Sequence, residues 1–353
     1  MTLYRSIVFD INSPQLASLT WTLNTCPQLR EAIRHLVYKT FSRNLNPGFE
    51  HLHWLAQLPE HSLRTFHLDY QISFTSGDIL RCPAVRTAPT LVLHIDPQTI
   101  DAWEAARSLV RSPYLRSLSV GMRLQAWLQI PASPNMHTLS LHLSRADYRW
   151  KFQPVITDPC VRLDRFDVYV RKPVLQPLKT YNLMQDLRQY QAGLKHLSFL
   201  NYDWDSLCEP ALIDESLSSF PRLETLVCSV PVSTPELLMR LPPTVRSVTC
   251  MGYRCAELRG EAFTKAVWDH HDSVKQGTGR RWLLESLTMI DMGLCSGNIA
   301  RPIQKDLVPQ LQMMDELAKV CAEAGIMLEW IGGKDYLQYD AVRTKCPLTA
   351  FLQ

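Results

Sequence analysis

An eight-residue phrase recurs along this chain. It reads Pro113-Tyr-Leu115-Arg-Ser-Leu118-Ser-Val120, and it returns as Pro134-Asn-Met136-His-Thr-Leu139-Ser-Leu141, Pro221-Arg-Leu223-Glu-Thr-Leu226-Val-Cys228 and Pro243-Thr-Val245-Arg-Ser-Val248-Thr-Cys250. Four further copies lack the proline at that offset: Leu63-Arg-Thr-Phe66-His-Leu68, Leu163-Asp-Arg-Phe166-Asp-Val168, Leu194-Lys-His-Leu197-Ser-Phe199 and Leu284-Glu-Ser-Leu287-Thr-Met289. Counting the first apolar residue as position 1, positions 1, 4 and 6 are apolar. Positions 4 and 6 lie two apart and therefore point to one face of a strand, whereas a helix would repeat at three and four. Proline suits the start of a strand, where its fixed φ and missing N–H cost little. Positions 3, 5 and 7 point the other way and are mostly Ser, Thr and polar residues, as in Ser117, Ser119 and Gly121 or Thr138, Ser140 and His142. Each copy is expected to be a short strand, dry on one side and mostly wet on the other.

The first positions fall at 63, 115, 136, 163, 194, 223, 245 and 284, with gaps of 52, 21, 27, 31, 29, 22 and 39. The longest gap divides into 25 and 27 if Ala88-Pro-Thr-Leu91-Val-Leu93 is a degenerate copy. Leucine-rich repeats run about 20–29 residues, each with one strand and one helical or irregular return. Several intervening stretches carry helix signals. Ser233-Thr-Pro235-Glu236 offers a cap, a first-turn proline and an early acid. Apolar residues recur every third or fourth position from Leu178 to Leu194, between Gln98 and Arg111, and from Leu307 to Cys321, the last stopping at Gly325. The expected fold is α/β: a leucine-rich-repeat-like solenoid, with a curved parallel β-sheet on the concave side and helices and irregular segments on the convex side. It is expected to form one domain over 1–353, with N-terminal units over 1–60 and regular units over 61–292. A loop insertion is placed near 268–281, and a C-terminal helix and capping segment over 293–353.

Charge is nearly balanced, 37 Lys and Arg against 34 Asp and Glu, without the clustered cations of a nucleic-acid or anionic-membrane binder. The first residues lack the apolar core of a signal peptide, and no run of eighteen apolar residues exists to span a membrane. The ten cysteines are scattered, with no C-x-x-C pair. Cys228 and Cys250 occupy position 6 as small buried hydrophobes. Free structural thiols place the chain in a reducing, intracellular compartment, cytoplasm or nucleus.

Chemistry-bearing clusters are few. Trp268-Asp-His270-His271-Asp272 has ligand-type residues, but adjacent histidines do not present the i, i+4 or i, i+2 arrangement that converges on one ion. It reads as a surface loop. Gly277-Thr-Gly279-Arg280-Arg281 precedes a strand, where a phosphate-binding loop would follow one. Cys250 and Cys255 lack a second ligand pair. No catalytic residue, cofactor or metal site is therefore assigned. The expected protein-binding face comprises Arg64, His67 and Asp69 on one strand, Arg165, Asp167 and Tyr169 on another, and His196 on a third. Solenoid strands present extended binding surfaces of this kind.

The irregular Pro-x-Leu-[Arg/Glu]-[Ser/Thr]-Leu-x-Leu phrase has Arg123, Ser144, Arg171 and Tyr202 where regular repeats stack an asparagine ladder. The chain opens Leu3-Tyr4-Arg5-Ser6-Ile7-Val8-Phe9, then Pro14-Gln-Leu16-Ala-Ser-Leu19, Pro27-Gln-Leu29-Arg and Ile33-Arg-His-Leu36. In both respects, over nearly its whole length, it resembles the leucine-rich region of the F-box/leucine-rich-repeat proteins abundant in filamentous fungi. The resemblance implies a substrate held on the leucine-rich arc while an F-box docks on the Skp-family adaptor of a ubiquitin ligase. The F-box would precede residue 1, and this chain has no room for it, so the adaptor is expected only if an upstream F-box exists. The alternatives are a free-standing interaction scaffold unrelated to ubiquitin and an enzyme of unknown class.

Overall fold

A computed structural model describes residues 5–10, 13–40, 49–74, 77–97, 99–121, 135–144, 163–171, 187–201, 213–252, 255–277, 282–291 and 304–331. The chain forms two compact units, Met1–Val168 and Tyr169–Gln353. The first contains β1 (Ser6–Asp10), β2 (His35–Thr40), β3 (Thr65–Phe74), β4 (Thr90–Pro97), β5 (Ser117–Gly121) and β6 (Thr138–Ser144). β7 (Arg165–Arg171) begins in it and ends in the second, which holds β8 (His196–Asn201), β9 (Thr225–Ser229), β10 (Ser247–Gly252), β11 (Ser286–Asp291) and β12 (Met327–Ile331). Within each unit the strands pair in chain order, and every described pair is parallel. The fold is α/β and leucine-rich-repeat-like.

All eight copies of the phrase are strands, and so is the degenerate copy at Leu91. Positions 4 and 6 are buried in every one, from Phe66 and Leu68 to Leu287 and Met289. Position 1 is buried as well, from Leu63 to Leu284. Parallel pairing in register aligns these positions, Leu118 with Leu91 and Leu139, Leu226 with Leu197 and Val248. Within each unit the apolar side chains therefore stack strand on strand into a shared core, as repeat-to-repeat packing in a solenoid requires.

The polar pair at positions 2 and 3 has a backbone role. One carbonyl at the start of a strand accepts two successive amides from the next: Arg116 O takes His137 N and Thr138 N at 2.8 and 3.1 Å, and Glu224 O takes Arg246 N and Ser247 N at 2.8 and 3.1 Å. The same pairing recurs from Arg5 through Arg34, and again at Pro89, His137, Lys195 and Arg246. Main-chain bonds thus join successive strands at their starts, and the position-2 side chains are left toward solvent.

Between strands lie helices at Leu16–Thr25, Pro27–Glu31, Asp78–Arg81, Pro83–Arg86, Ile100–Val110, Asp214–Leu217, Cys255–Lys275 and Gln304–Ala324. Ile100–Val110 starts on Thr99, whose hydroxyl accepts the Ala102 amide at 3.2 Å. Gln304–Ala324 ends at Gly325, φ +74°. Ile326 N reaches Cys321 O and Gly325 N reaches Ala322 O there, the paired bonds of a Schellman cap.

Three expectations differ from the structure. Residues 268–275 are not a loop but the last turns of the helix Cys255–Lys275. Its dry side is Phe263, Ala266 and Val267, and the polar Trp268–Asp272 run extends its solvated side. Pro235–Arg240 is a 3₁₀ helix, and its start is held by Asp214, which accepts Thr234 N at 2.9 Å and the Thr234 hydroxyl, with no cap from Ser233. The stretch expected to be helical over 178–194 is described only from 187, where Arg188–Tyr190 forms a 3₁₀ turn. The strand Met327–Ile331 was not foreseen; it extends the sheet beyond the last copy of the phrase.

The sheet face away from the leucines also departs from expectation in the second unit. Tyr169, Leu200, Val227, Met251, Ile290 and Ile331 form a buried apolar cluster there. Met251, Ile290 and Ile331 are consecutive register partners, so position 7 builds a second dry row. Apolar side chains on adjacent parallel strands shield one another.

Candidate functional site

The face opposite the leucines is half-exposed through much of the first unit and carries its polar groups. Register places Val37, His67, Val92, Ser119 and Ser140 in one row across β2 to β6. His35 Nδ1 lies 3.2 Å from the Thr65 hydroxyl, and His94 Nε2 lies 3.3 Å from the Ser119 hydroxyl. At β7, Asp167 Oδ2 accepts the Ser140 hydroxyl at 3.0 Å and Arg165 Nε at 2.8 Å. The Asp167 side chain is 3% exposed and that of Arg165 44% exposed. A carboxylate this buried is held by charge-assisted bonds and is a fixed part of the sheet, and it orients the partly exposed Arg165 guanidinium.

The seven residues expected to form the binding face separate in the structure. Arg64 stands exposed at the start of β3, His67 is half-buried on β3, and Asp69 is placed by backbone register opposite Lys39 and His94. Arg165 and Asp167 are joined to each other. Tyr169, expected to be exposed beside them, is buried within the second unit's apolar cluster. Asp167 was likewise expected to be exposed and is buried, because Ser140 and Arg165 close over it. His196 is half-buried on β8 of the second unit, opposite Thr225.

Two other features complete the geometry. Arg5, Arg64 and Arg116 are exposed at the starts of strands in the first unit, and no carboxylate forms an ion pair with any of them among the described residues. His137 instead pairs with Asp164 at 3.3 Å. A line of unpaired guanidinium groups favours acidic protein surfaces. His94 and His142 join His67 on the same face. The phrase alone did not single them out, since His94 lies in the degenerate copy and the two histidines share a patch only once Gly121 is placed between them.

Among the described residues, no set of three His, Cys, Asp or Glu is arranged to hold a metal ion. An open depression of about 660 Å³ lies on the second unit beside Asp214, Arg240, Thr244 and Pro242. Asp214 there is pushed up by burial, against the lowering bonds from Thr234. Cys228, Cys250 and Cys255 are fully buried, and the Cys228 thiol is pushed well up by its hydrogen bond with Cys250 and by burial, so these groups are inert packing elements. No helix among the described residues is long and apolar enough to cross a membrane.

His270 lies flat on Trp282, ring centroids 3.9 Å apart and planes 2° apart, and its Nε2 accepts the Trp282 amide at 3.1 Å. Burial and the neighbouring His271 lower its pKa below the usual 6.5. The folded state therefore prefers neutral His270, and the unfolded chain binds more protons as pH falls below about 6.5. We expect the melting temperature to fall between pH 7 and pH 5, and the fall to be smaller in His270→Gln. Equal pH slopes in the two proteins, measured by thermal denaturation, would contradict this.

No protein-family model matches the chain, and no curated protein does. Among solved structures, it is similar to the leucine-rich repeat-containing protein LegL7 from Legionella pneumophila. The match is 10% identical, covers 86% of this chain and 98% of that one, and has a TM-score of 0.37.

Proposed function

We propose that the chain is a non-enzymatic protein-binding solenoid. The observation that carries this reading is the first unit's open strand face. It presents His67, Ser119, Arg165 and their neighbours on a regular parallel sheet, with unpaired arginines along the strand starts. Recognition by such a surface comes from side chains fixed by rigid strands rather than from an enclosed pocket. Arg64, His67 and Arg165 are the contacting residues of this face, Asp69 joins them by its register position on β3, and Asp167 orients Arg165. Tyr169 acts through packing, and His196 is a separate candidate contact on the second unit.

The finer reading is that the bound protein is a substrate, and that the chain works as the recognition region of an F-box protein in a ubiquitin ligase with a Skp-family adaptor. Its support is the style of the repeat phrase and the Leu-Tyr-Arg opening. No nucleic acid, membrane or cofactor enters this reading, and the site of action is inside the cell. The test is affinity capture from native cells with the wild-type chain and with an Arg64→Glu/Arg165→Glu variant. We expect at least one protein captured by wild type and reduced at least tenfold with the variant at low salt, the difference narrowing as salt rises. A Skp-family protein captured with a longer form of the chain supports the ubiquitin role, and a partner without one favours a free-standing scaffold. Capture identical for both proteins would overturn the assignment of the face.

A further inference from the structure

Three imidazoles meet on the first unit's open face. His94 on β4 and His142 on β6 have ring centroids 4.5 Å apart, tilted by 54°. They come from strands two apart in the sheet, which stand about 9–10 Å from each other. The strand between them carries Gly121, in register with His142. A Cβ at 121 would lie 3.2 Å from the His94 Cα, so the β4 backbone at His94 would have to give by a few tenths of an ångström. The missing side chain therefore leaves the space into which both rings lean. His67 follows, its ring 5.9 Å from that of His94, and the Ser119 hydroxyl sits 3.3 Å from His94 Nε2.

We propose that His94 and His142 form a binding site for a divalent first-row transition-metal ion, with His67 at its edge. Imidazole is a borderline-soft ligand that suits nickel, copper and zinc. Metal–nitrogen bonds of about 2.0–2.1 Å, with the ring centre about 1.1 Å beyond the nitrogen, place two imidazoles of one ion about 4.5 Å apart at a right angle and about 5.2 Å apart at the tetrahedral angle. The His94–His142 centroid separation of 4.5 Å equals the first value. The His67–His94 separation exceeds both, so His67 lies outside the immediate shell. Two protein ligands suit an ion that completes its shell with water or other small ligands. Ser119, hydrogen-bonded to His94, orients that ring. The site shares His67 and Ser119 with the proposed protein-binding face but does not depend on that reading, because the chain by itself would hold the ion.

The test is calorimetric titration of the metal-free, full-length chain with Cu(II), Ni(II) and Zn(II) salts separately, together with electron paramagnetic resonance of the Cu(II) form. We expect one saturable site, tightest for Cu(II), with two imidazole nitrogens on the copper. His94→Gln and His142→Gln should each weaken it at least tenfold and leave one such nitrogen. Gly121→Val removes no ligand yet should weaken binding by about tenfold, since it displaces the rings. His67→Gln should have the smallest effect. The chain has 11 histidines, so metal held elsewhere is a real alternative. Wild-type affinity retained in both His94→Gln and His142→Gln, or no saturable site in the wild type, overturns the proposal. Circular dichroism verifies that each variant is folded. Should either glutamine variant unfold, the nitrogen count on copper in the wild type and the affinity of Gly121→Val decide.

Discussion

Leu226→Asp is expected to abolish the cooperative melting of the chain at neutral pH. Leu226 is fully buried at position 4 of the phrase, between Leu197 on β8 and Val248 on β10. The substitution removes an apolar side chain that packs on both neighbours and puts a carboxylate in its place with no cation opposite. Losing the leucine alone costs about 2–5 kcal/mol, and burying the charge adds more. Because a repeat fold is held by nearest-neighbour packing, the damage spreads to β8 and β10 rather than staying local. Leu139→Asp should act the same way in the first unit, where Leu139 is equally buried beside Leu118. Circular dichroism melts of the two variants test this. Reversible, native-like transitions in either would contradict the inward assignment of position 4.

Arg259→Leu is expected to destabilise the chain by about 3 kcal/mol, seen as a lower urea midpoint with an unchanged slope. Arg259 is a buried cation on the helix Cys255–Lys275, and its guanidinium donates to Val230 O at 2.8 Å and to Ser233 O. Those carbonyls belong to the irregular turn that leaves β9. Arginine is the one residue here that can reach both with fixed donors, so it pins the helix to the turn. Leucine keeps much of the volume and leaves both carbonyls without their donor. A variant as stable as wild type would mean that water or a neighbouring group takes over the two bonds.

The repeat was legible because its signal is periodic and local. Leu118 and Val120 lie two apart, the proline stands before them, and this combination has few readings other than a strand with one buried face. Gly325 was legible for a similar reason, since an apolar stripe that stops at glycine marks a helix end. The helix Cys255–Lys275 was not fully legible. Its polar close, Asp269 to Asp272, looks like a loop until Phe263 and Val267 are seen to supply the dry side. The second face was legible only in part. Alternation says that Met251 and Ile290 point away from the leucines, but not that they are covered; that depends on tertiary packing. The polar site was the hardest. Arg165 and Asp167 were found because they share one strand, whereas His94 and His142 lie on different strands and meet only through parallel register and the gap at Gly121.

The fold and its open face both depend on the alternation of the phrase between a packed side and an open one. Thiol labelling of Leu118→Cys and Ser119→Cys, read peptide by peptide by mass spectrometry on the native protein, tests it most directly. These two neighbours on β5 point to opposite sides, Leu118 fully buried and Ser119 half-exposed. The prediction is rapid labelling at 119 under native conditions and labelling at 118 only after denaturation. Equal rates at the two positions, or faster labelling at 118, would contradict the strand, its facing and the binding surface built on them.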